Sequence, residues 1–156
     1  MARRVLTFAA AYVAAFILVG AAQPAPVTHA ESSLLTAMNE VRLAHHVRPL
    51  HADSRLERAA RAHSSQMLRS GAVFHGSVGA RVRSFGVRAP RIGENLAWAM
   101  GRLAQARTIV KMWMASPEHR RNLLDPSFRI VGVGALRGTF SGRPGTLMVT
   151  TDFAGG

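Results

Sequence analysis

Three side chains of this sequence combine useful chemistry with positions at breaks in the local pattern. His75 follows Val73-Phe74 just past Gly71, and His119 follows Ser116-Pro117-Glu118. Between them, Gly93-Glu94-Asn95-Leu96-Ala97 sets a single carboxylate in an apolar stretch that continues into Trp98. Functional side chains concentrate where rigid elements stop, and a carboxylate in such a stretch must be paired or solvated on one side only. Two neutral imidazoles and a carboxylate are the ligand set of a zinc site with an open position. The same groups can equally form a pH-sensitive hydrogen-bonded cluster without metal. Spacing does not choose between these readings: the intervals are 19 and 25 residues, and no His-Glu-x-x-His helix is present. A triad of Ser116, His119 and Glu94 can be drawn, but Ser116 lacks the Gly-x-Ser-x-Gly elbow that presents a serine nucleophile. The other histidines read as structural. His45, His46 and His51 lie near a helix end and the turn after it, where imidazoles meet free carbonyls. His63 falls on an apolar helical stripe, and His29 lies in a segment expected to be removed.

Rigid elements must carry these groups. Leu34, Met38, Val41 and His45 share one face of a helix predicted over 31–46, which Val47-Arg48-Pro49-Leu50 interrupts. Ser54-Arg55-Leu56-Glu57 has the order of a capping box and opens a second helix over 54–70, with Leu56, Ala59, Ala60, His63 and Met67 on its stripe and Gly71 as its stop. Residues 72–93 lack a sustained period and read as a long loop with at most one short strand, its arginines at 81, 83, 88 and 91 solvated. Leu103, Ala106, Val110 and Trp113 define a third helix that Pro117 ends, followed by a short turn or helix over 120–124. Phe128–Leu136 and Thr146–Phe153 read as antiparallel strands with a loose connection over 138–145. Trp98 and Trp113 are expected in the core. Gly132 and Gly134 are expected to admit a close helix, and Asn95 and Asn122 to tie backbone together. Helices first and paired strands last give an α+β fold.

The chain has 156 residues, 48% hydrophobic and 18% charged, which fits one globular domain with a real core. It has no cysteine, so disulfides, thiolate metal sites and a cysteine nucleophile are excluded. Twenty basic residues against eight acidic give +12, which favours anionic surroundings such as phospholipid or cell-wall polymer, without pointing to a nucleic-acid function. Arg3-Arg4 precedes an uncharged run over 5–22, the order of a secretory signal peptide. Cleavage can follow Ala22 or Ala30. The second is preferred because Ala30 directly precedes the first acid, Glu31, which gives a signal peptide over 1–30 and a domain over 31–156. A retained anchor is the alternative, although spanning takes about 20 apolar residues.

Six blocks occur in a familiar order: Asn39-Glu40-Val41-Arg42 with Arg48-Pro49-Leu50; Ala62-His63-Ser64-Ser65-Gln66-Met67; Phe74-His75; Gly93-Glu94-Asn95-Leu96-Ala97; the run from Trp113 to Leu124; and Val131-Gly132-Val133-Gly134. Together they resemble the bacterial branch of the CAP superfamily (cysteine-rich secretory proteins, antigen 5 and pathogenesis-related proteins), also called the SCP domain. The resemblance covers nearly all of residues 33–154. It implies a secreted three-layer α-β-α sandwich with a small antiparallel sheet and a cleft lined by two His and two acids. His75, Glu94 and His119 match three of those four. The fourth, a Glu three residues after the helix Trp in eukaryotic relatives, is Ser116 here, as in many bacterial members. Glu118 is adjacent, but neighbouring residues on regular backbone point different ways. The resemblance implies divalent-metal binding, zinc included, at His75 and His119 in some members, and sterol or fatty-acid carriage in others. The expectation is a non-enzymatic binding module at the cell envelope or outside the cell, its ligand an anionic polymer or lipid, with no residue assigned a catalytic role. The alternatives are a metal-assisted, peptidase-like hydrolase and a lipid carrier whose headgroup contacts come from Arg81, Arg83, Arg88 and Arg91.

Overall fold

The computed structural model describes residues 26–156; the apolar run over 5–22 lies outside them. Helix α1 is His29–Ala44, β1 His51–Ala52, α2 Ser54–Ser70, α3 Val78–Ser84, β2 Arg91–Ala99, α4 Ala106–Ala115, α5 Pro117–Leu124, β3 Phe128–Phe140 and β4 Arg143–Gly155, with a 3-10 turn at Gly101–Ala104 before α4. The sheet order is β1-β3-β4-β2. All its long pairings are antiparallel, and only the two-residue β1 runs parallel to β3.

Both faces of the sheet are covered, so β4 is buried along most of its length and reads as a continuous run without polar-apolar alternation. On one face Val131, Val133, Ala135, Leu147, Val149 and Phe153 pack with Leu34 and Met38 of α1, Ile109, Val110 and Trp113 of α4 and Leu123 of α5. On the other, α2 and α3 cover the strands through two smaller clusters, one around Leu56 and Val82 and one around Met67, Leu96 and Met148. The result is the expected three-layer α-β-α sandwich. Helix α2 sits against β3 at glycines, as the sequence suggested: a Cβ on Gly132 would lie 2.0 Å from the Leu56 backbone, and one on Gly134 would lie 2.3 Å from that of Arg61. Ser64 on the same helix donates to the Gly134 carbonyl (2.8 Å) and to Thr150 Oγ1 (2.9 Å).

Several local expectations are corrected. Helix α1 starts at His29, capped by Thr28, whose side chain accepts from the Glu31 N–H while Glu31 accepts from the Thr28 N–H. The cap of α2 is Asp53, accepting from the Arg55 and Leu56 N–H groups. Ser54 is therefore already helical, because the charged Asx acceptor one residue earlier takes the orphan amides. Residues 72–93 contain α3, too short at seven residues to show a period. Arg91–Ala99 is a nine-residue strand. The strands run on to Phe140 and Arg143, with Ser141 and Gly142 both at positive φ (47° and 77°), so the connection is a tight two-residue hairpin. Leu103 belongs to the 3-10 turn and is exposed. Trp113 is buried and donates to the Leu96 carbonyl at 2.9 Å. Trp98 is 44% exposed, beside Phe140 and under the Arg143 guanidinium. It lies on the edge strand β2, where no further strand covers it.

Candidate functional site

Pairing of β2 with β4 sets Glu94 opposite Asp152 on the α2 face of the sheet. Glu94 is buried, so each of its oxygens needs a partner. Oε1 accepts from His75 Nδ1 at 2.6 Å. Oε2 accepts from Arg81 Nη2 on α3, the same nitrogen that donates to Asp152 Oδ1 at 2.8 Å. A second Arg81 nitrogen donates to the His75 carbonyl at 3.2 Å. The arginine expected to be solvated is thus the hub of the site, clamping two carboxylates and the His75 backbone.

His63 closes the cluster from α2. Its Nε2–H donates to the Phe74 carbonyl at 2.7 Å, and Glu94 Oε2 lies 3.7 Å away. Burial, then the Arg81 charge, pushes its imidazole below the ordinary range, so the ring is neutral near pH 7. Burial pushes the Asp152 carboxyl up to about 6 against the pull of Arg81, the Glu94 charge adding to the rise. Asp152 Oδ2 and Arg81 Nε are buried with no hydrogen-bond partner among the described residues.

His119 reaches the site from the first layer. Ser116 is extended and ends α4, Pro117 starts α5, and His119 falls in its first turn. Asn95 points to the opposite face of β2 from Glu94 and donates to the His119 carbonyl at 3.0 Å, while Asn122 donates to the Glu94 carbonyl (2.9 Å) and to Asn95 Oδ1 (3.0 Å). These two amides tie α5 to β2, the backbone role expected of them. Burial and then the nearby His75 charge hold the His119 imidazole below its ordinary value, and its Nδ1 is buried without a hydrogen-bond partner among the described residues. The His75 ring is 60% exposed. Ser116 makes no side-chain cap bond at the α4–α5 junction, and Glu118 is exposed.

The structure therefore brings His75 against Glu94 and sets His119 within electrostatic reach of His75, whereas Ser116 makes no hydrogen bond to any of the three. Sequence reasoning missed Arg81 and Asp152, whereas His63 is the buried, hydrogen-bonded histidine that its place on the stripe suggested. Asp152 had a signal: a lone acid within Thr150-Thr151-Asp152-Phe153, a run of strand formers, has to be paired. Arg81 had none, since its neighbours on the run, Arg83 and Arg88, are exposed.

The donor set tests the zinc expectation. Both Glu94 oxygens are engaged, and among the described residues no three His, Asp or Glu side chains are arranged to hold a metal ion. His75 keeps Nε2 for a ligand, its Nδ1–H oriented by a carboxylate in the manner of metal-bound histidines, but two imidazoles are fewer than the three protein donors of catalytic zinc.

The helix-sheet-helix sandwich is the fold of solved SCP-domain structures. Solved structures share it: an extracellular SCP-domain protein from Bacillus anthracis str. Ames (TM-score 0.68, 22% identity, 84% of this chain and 45% of that one) and a cysteine-rich secretory protein from Staphylococcus aureus subsp. aureus Mu50 (0.68, 19%, 84% and 41%). An outer surface protein from Borrelia burgdorferi matches over 77% of this chain and 87% of its own (0.65, 18%). Identities this low speak for the fold alone. The sequence matches the cysteine-rich secretory protein (CAP) family over residues 35–152, and the chain belongs to that family. It is 33% identical over 116 residues to YkwD, an uncharacterized protein of Bacillus subtilis, a relationship that places it in the bacterial branch. The chain spans under half of YkwD and of the first two solved structures, at 44%, 45% and 41% of their lengths.

Proposed function

We propose that this chain is an exported binding module of the cell envelope or extracellular space, and that its His75–Glu94–His119 cleft takes up a ligand without hydrolysing it. The observation that carries this reading is the state of Glu94. A general base must be free to take a proton, yet this carboxylate is buried with one oxygen on Arg81 and the other on His75. No second carboxylate replaces it, because Asp152 shares the same guanidinium and the fourth position of the cleft is Ser116. The exposed His75 ring is then the accessible donor or acceptor, with His119 behind it.

Export is supported by the basic start and apolar run of residues 1–22 and by the extracellular and outer-surface naming of the structural neighbours. Among the described residues, no helix is long and apolar enough to cross a membrane. Cleavage after Ala22 accords better with the fold than cleavage after Ala30, which would remove the Thr28 cap and cut within the first turn of α1.

The test compares the purified protein with a His75→Ala/His119→Ala variant in zinc titration and against a peptide library. Micromolar or weaker zinc uptake and no turnover by either protein are expected. Peptide cleavage, or tight zinc uptake, lost in the double variant would overturn the reading in favour of a metal-assisted hydrolase.

Lipid carriage keeps one specific observation in its favour. A groove of about 580 Å³ between α1 and α4 is lined by Ala37, Val41, Val110 and Met114 together with Lys111 and the Arg107–Glu40 ion pair. Arg81, by contrast, is committed to Glu94 and Asp152 and offers nothing to a headgroup. Native mass spectrometry of protein purified from its producer would show a co-purified lipid if this groove is filled.

A further inference from the structure

The α5 helix that carries His119 also builds a second concavity, on which the cleft does not draw. A groove of about 670 Å³ runs between α5, the start of β2 and the turn before β3, with Arg91, Arg120 and Arg121 among its walls. Arg120 and Arg121 are exposed and make no side-chain hydrogen bond or ion pair among the described residues, so their guanidinium donors face solvent. The one acid of the groove is Asp125. It is already engaged by the Ser127 N–H (2.8 Å) and hydroxyl (2.6 Å), with Arg91 at 3.5 Å, and the charge of the buried Arg42 acts on it as well. The groove therefore presents a net positive, forked donor surface, the geometry that suits bidentate contact with oxyanions. Its remaining walls are apolar: Pro117, Leu124 and Pro126.

We propose that this groove binds a polyol-phosphate polymer, a chain in which phosphodiesters alternate with short aliphatic spacers. Arginine forks take the phosphates, and the two prolines and the leucine lie against the carbon spacers. The groove has no aromatic ring among its lining residues, which separates this partner from single-stranded nucleic acid. Single-stranded nucleic acid adds to its phosphate contacts the stacking of bases on aromatic side chains, and the groove offers no such platform. The net charge of +12 adds long-range attraction for any polyanion, so the assignment rests on what the groove does beyond that charge. The proposal assumes the envelope location proposed above but concerns a different surface from the His75–His119 cleft.

The experiment measures binding of a synthetic glycerol-phosphate oligomer to the purified protein and to three variants at fixed ionic strength. Arg120→Gln/Arg121→Gln should bind at least about tenfold more weakly, the loss of one or more charge-assisted contacts. Arg83→Gln/Arg88→Gln removes an equal number of charges from exposed positions that do not line the groove and should stay within about twofold of the parent; equal losses in the two variants would overturn the proposal, showing attraction by overall charge alone. The His75→Ala/His119→Ala protein should bind the oligomer like the parent, which separates this test from that of the cleft. A polyuronate or a single-stranded oligonucleotide of matched charge that binds as tightly, with the same dependence on Arg120 and Arg121, would overturn the phosphate-and-spacer assignment. Binding to phosphatidylglycerol vesicles with none to the soluble oligomer would overturn it in favour of a membrane surface. Thermal melts of each variant confirm folding, which these exposed positions leave intact.

Discussion

Arg81 decides the character of the cleft. It holds two buried carboxylates with one nitrogen, and removing it leaves their charge stranded in a buried site. Breaking a buried ion pair in this way costs about 3–5 kcal/mol, so Arg81→Met should lower the urea-unfolding free energy by that order. His75→Ala also removes a partner of Glu94, but the ring is 60% exposed and water can take its place, so the loss should be smaller, about 1 kcal/mol. Comparable losses in the two variants would show that the cluster is not held through Arg81. At this scale the sequence marked His75, Glu94 and His119 through their chain breaks and the apolar setting of the acid. It offered no view of Arg81, because a guanidinium on a seven-residue helix looks the same in sequence whether it points to solvent or to a carboxylate 13 residues away.

Among the elements, α1 and α2 carry the sharpest expectations. Glu31 is buried in the first turn of α1, and although burial alone would raise its carboxyl, the ion pair with Arg61 and the bonds from Thr28 and Ala135 hold it below the ordinary value. Thr28→Ala removes one cap acceptor and should cost about 1 kcal/mol, read as a lower melting temperature. A chain starting at Glu31 should lose more, since it also lacks the first two helical residues, His29 and Ala30; equal melting temperatures for chains starting at residues 23 and 31 would refute the role of the cap. Gly134→Ala drives a methyl into the Ala60–Arg61 backbone and should cost at least about 1–3 kcal/mol by overpacking, measured by denaturant midpoint. Helix existence was legible because about three turns repeat a stripe, as Leu56 to Met67 do. Helix α3 and strand β2 were not: one is too short to repeat, and the other alternates a carboxylate with Leu96 and an exposed Trp98 on its cleft face.

For the molecule as a whole, opposing titrations set the response to acid. The Asp152 carboxyl is raised to about 6 from an ordinary 3.8, so between these values the folded state holds the proton more tightly, and this contribution to stability declines as pH rises. His63 and His119 are lowered from 6.5, so the unfolded chain binds their protons more readily and stability declines as pH falls below 6.5. Between about pH 4 and 6.5 the two trends oppose each other. Asp152→Asn removes one of them, and its unfolding free energy should climb with pH across this window more steeply than that of the parent. Parallel profiles from chemical denaturation at several pH values would show that Asp152 does not titrate there. Below about pH 4 both proteins should lose stability together, because Glu31, Asp53 and Asp125 all sit below their ordinary values in the fold.

The sequence by itself determined the main elements: apolar stripes on α1, α2 and α4, strand formers over 128–136 and 146–153, and glycines 132 and 134 where a helix meets a strand, while the three-layer arrangement followed from the family resemblance. The elements follow from burial and backbone freedom, which act at fixed spacing along the chain and so leave a periodic mark. Which polar groups meet was decided only in three dimensions. The contact of Glu94 with Asp152 depends on the register of β2 against β4, and the arrival of Arg81 and His75 depends on where the chain from Gly71 to Pro90 docks. Polar pairing is set by distance through space and carries no period, so it becomes visible only once the strands are aligned.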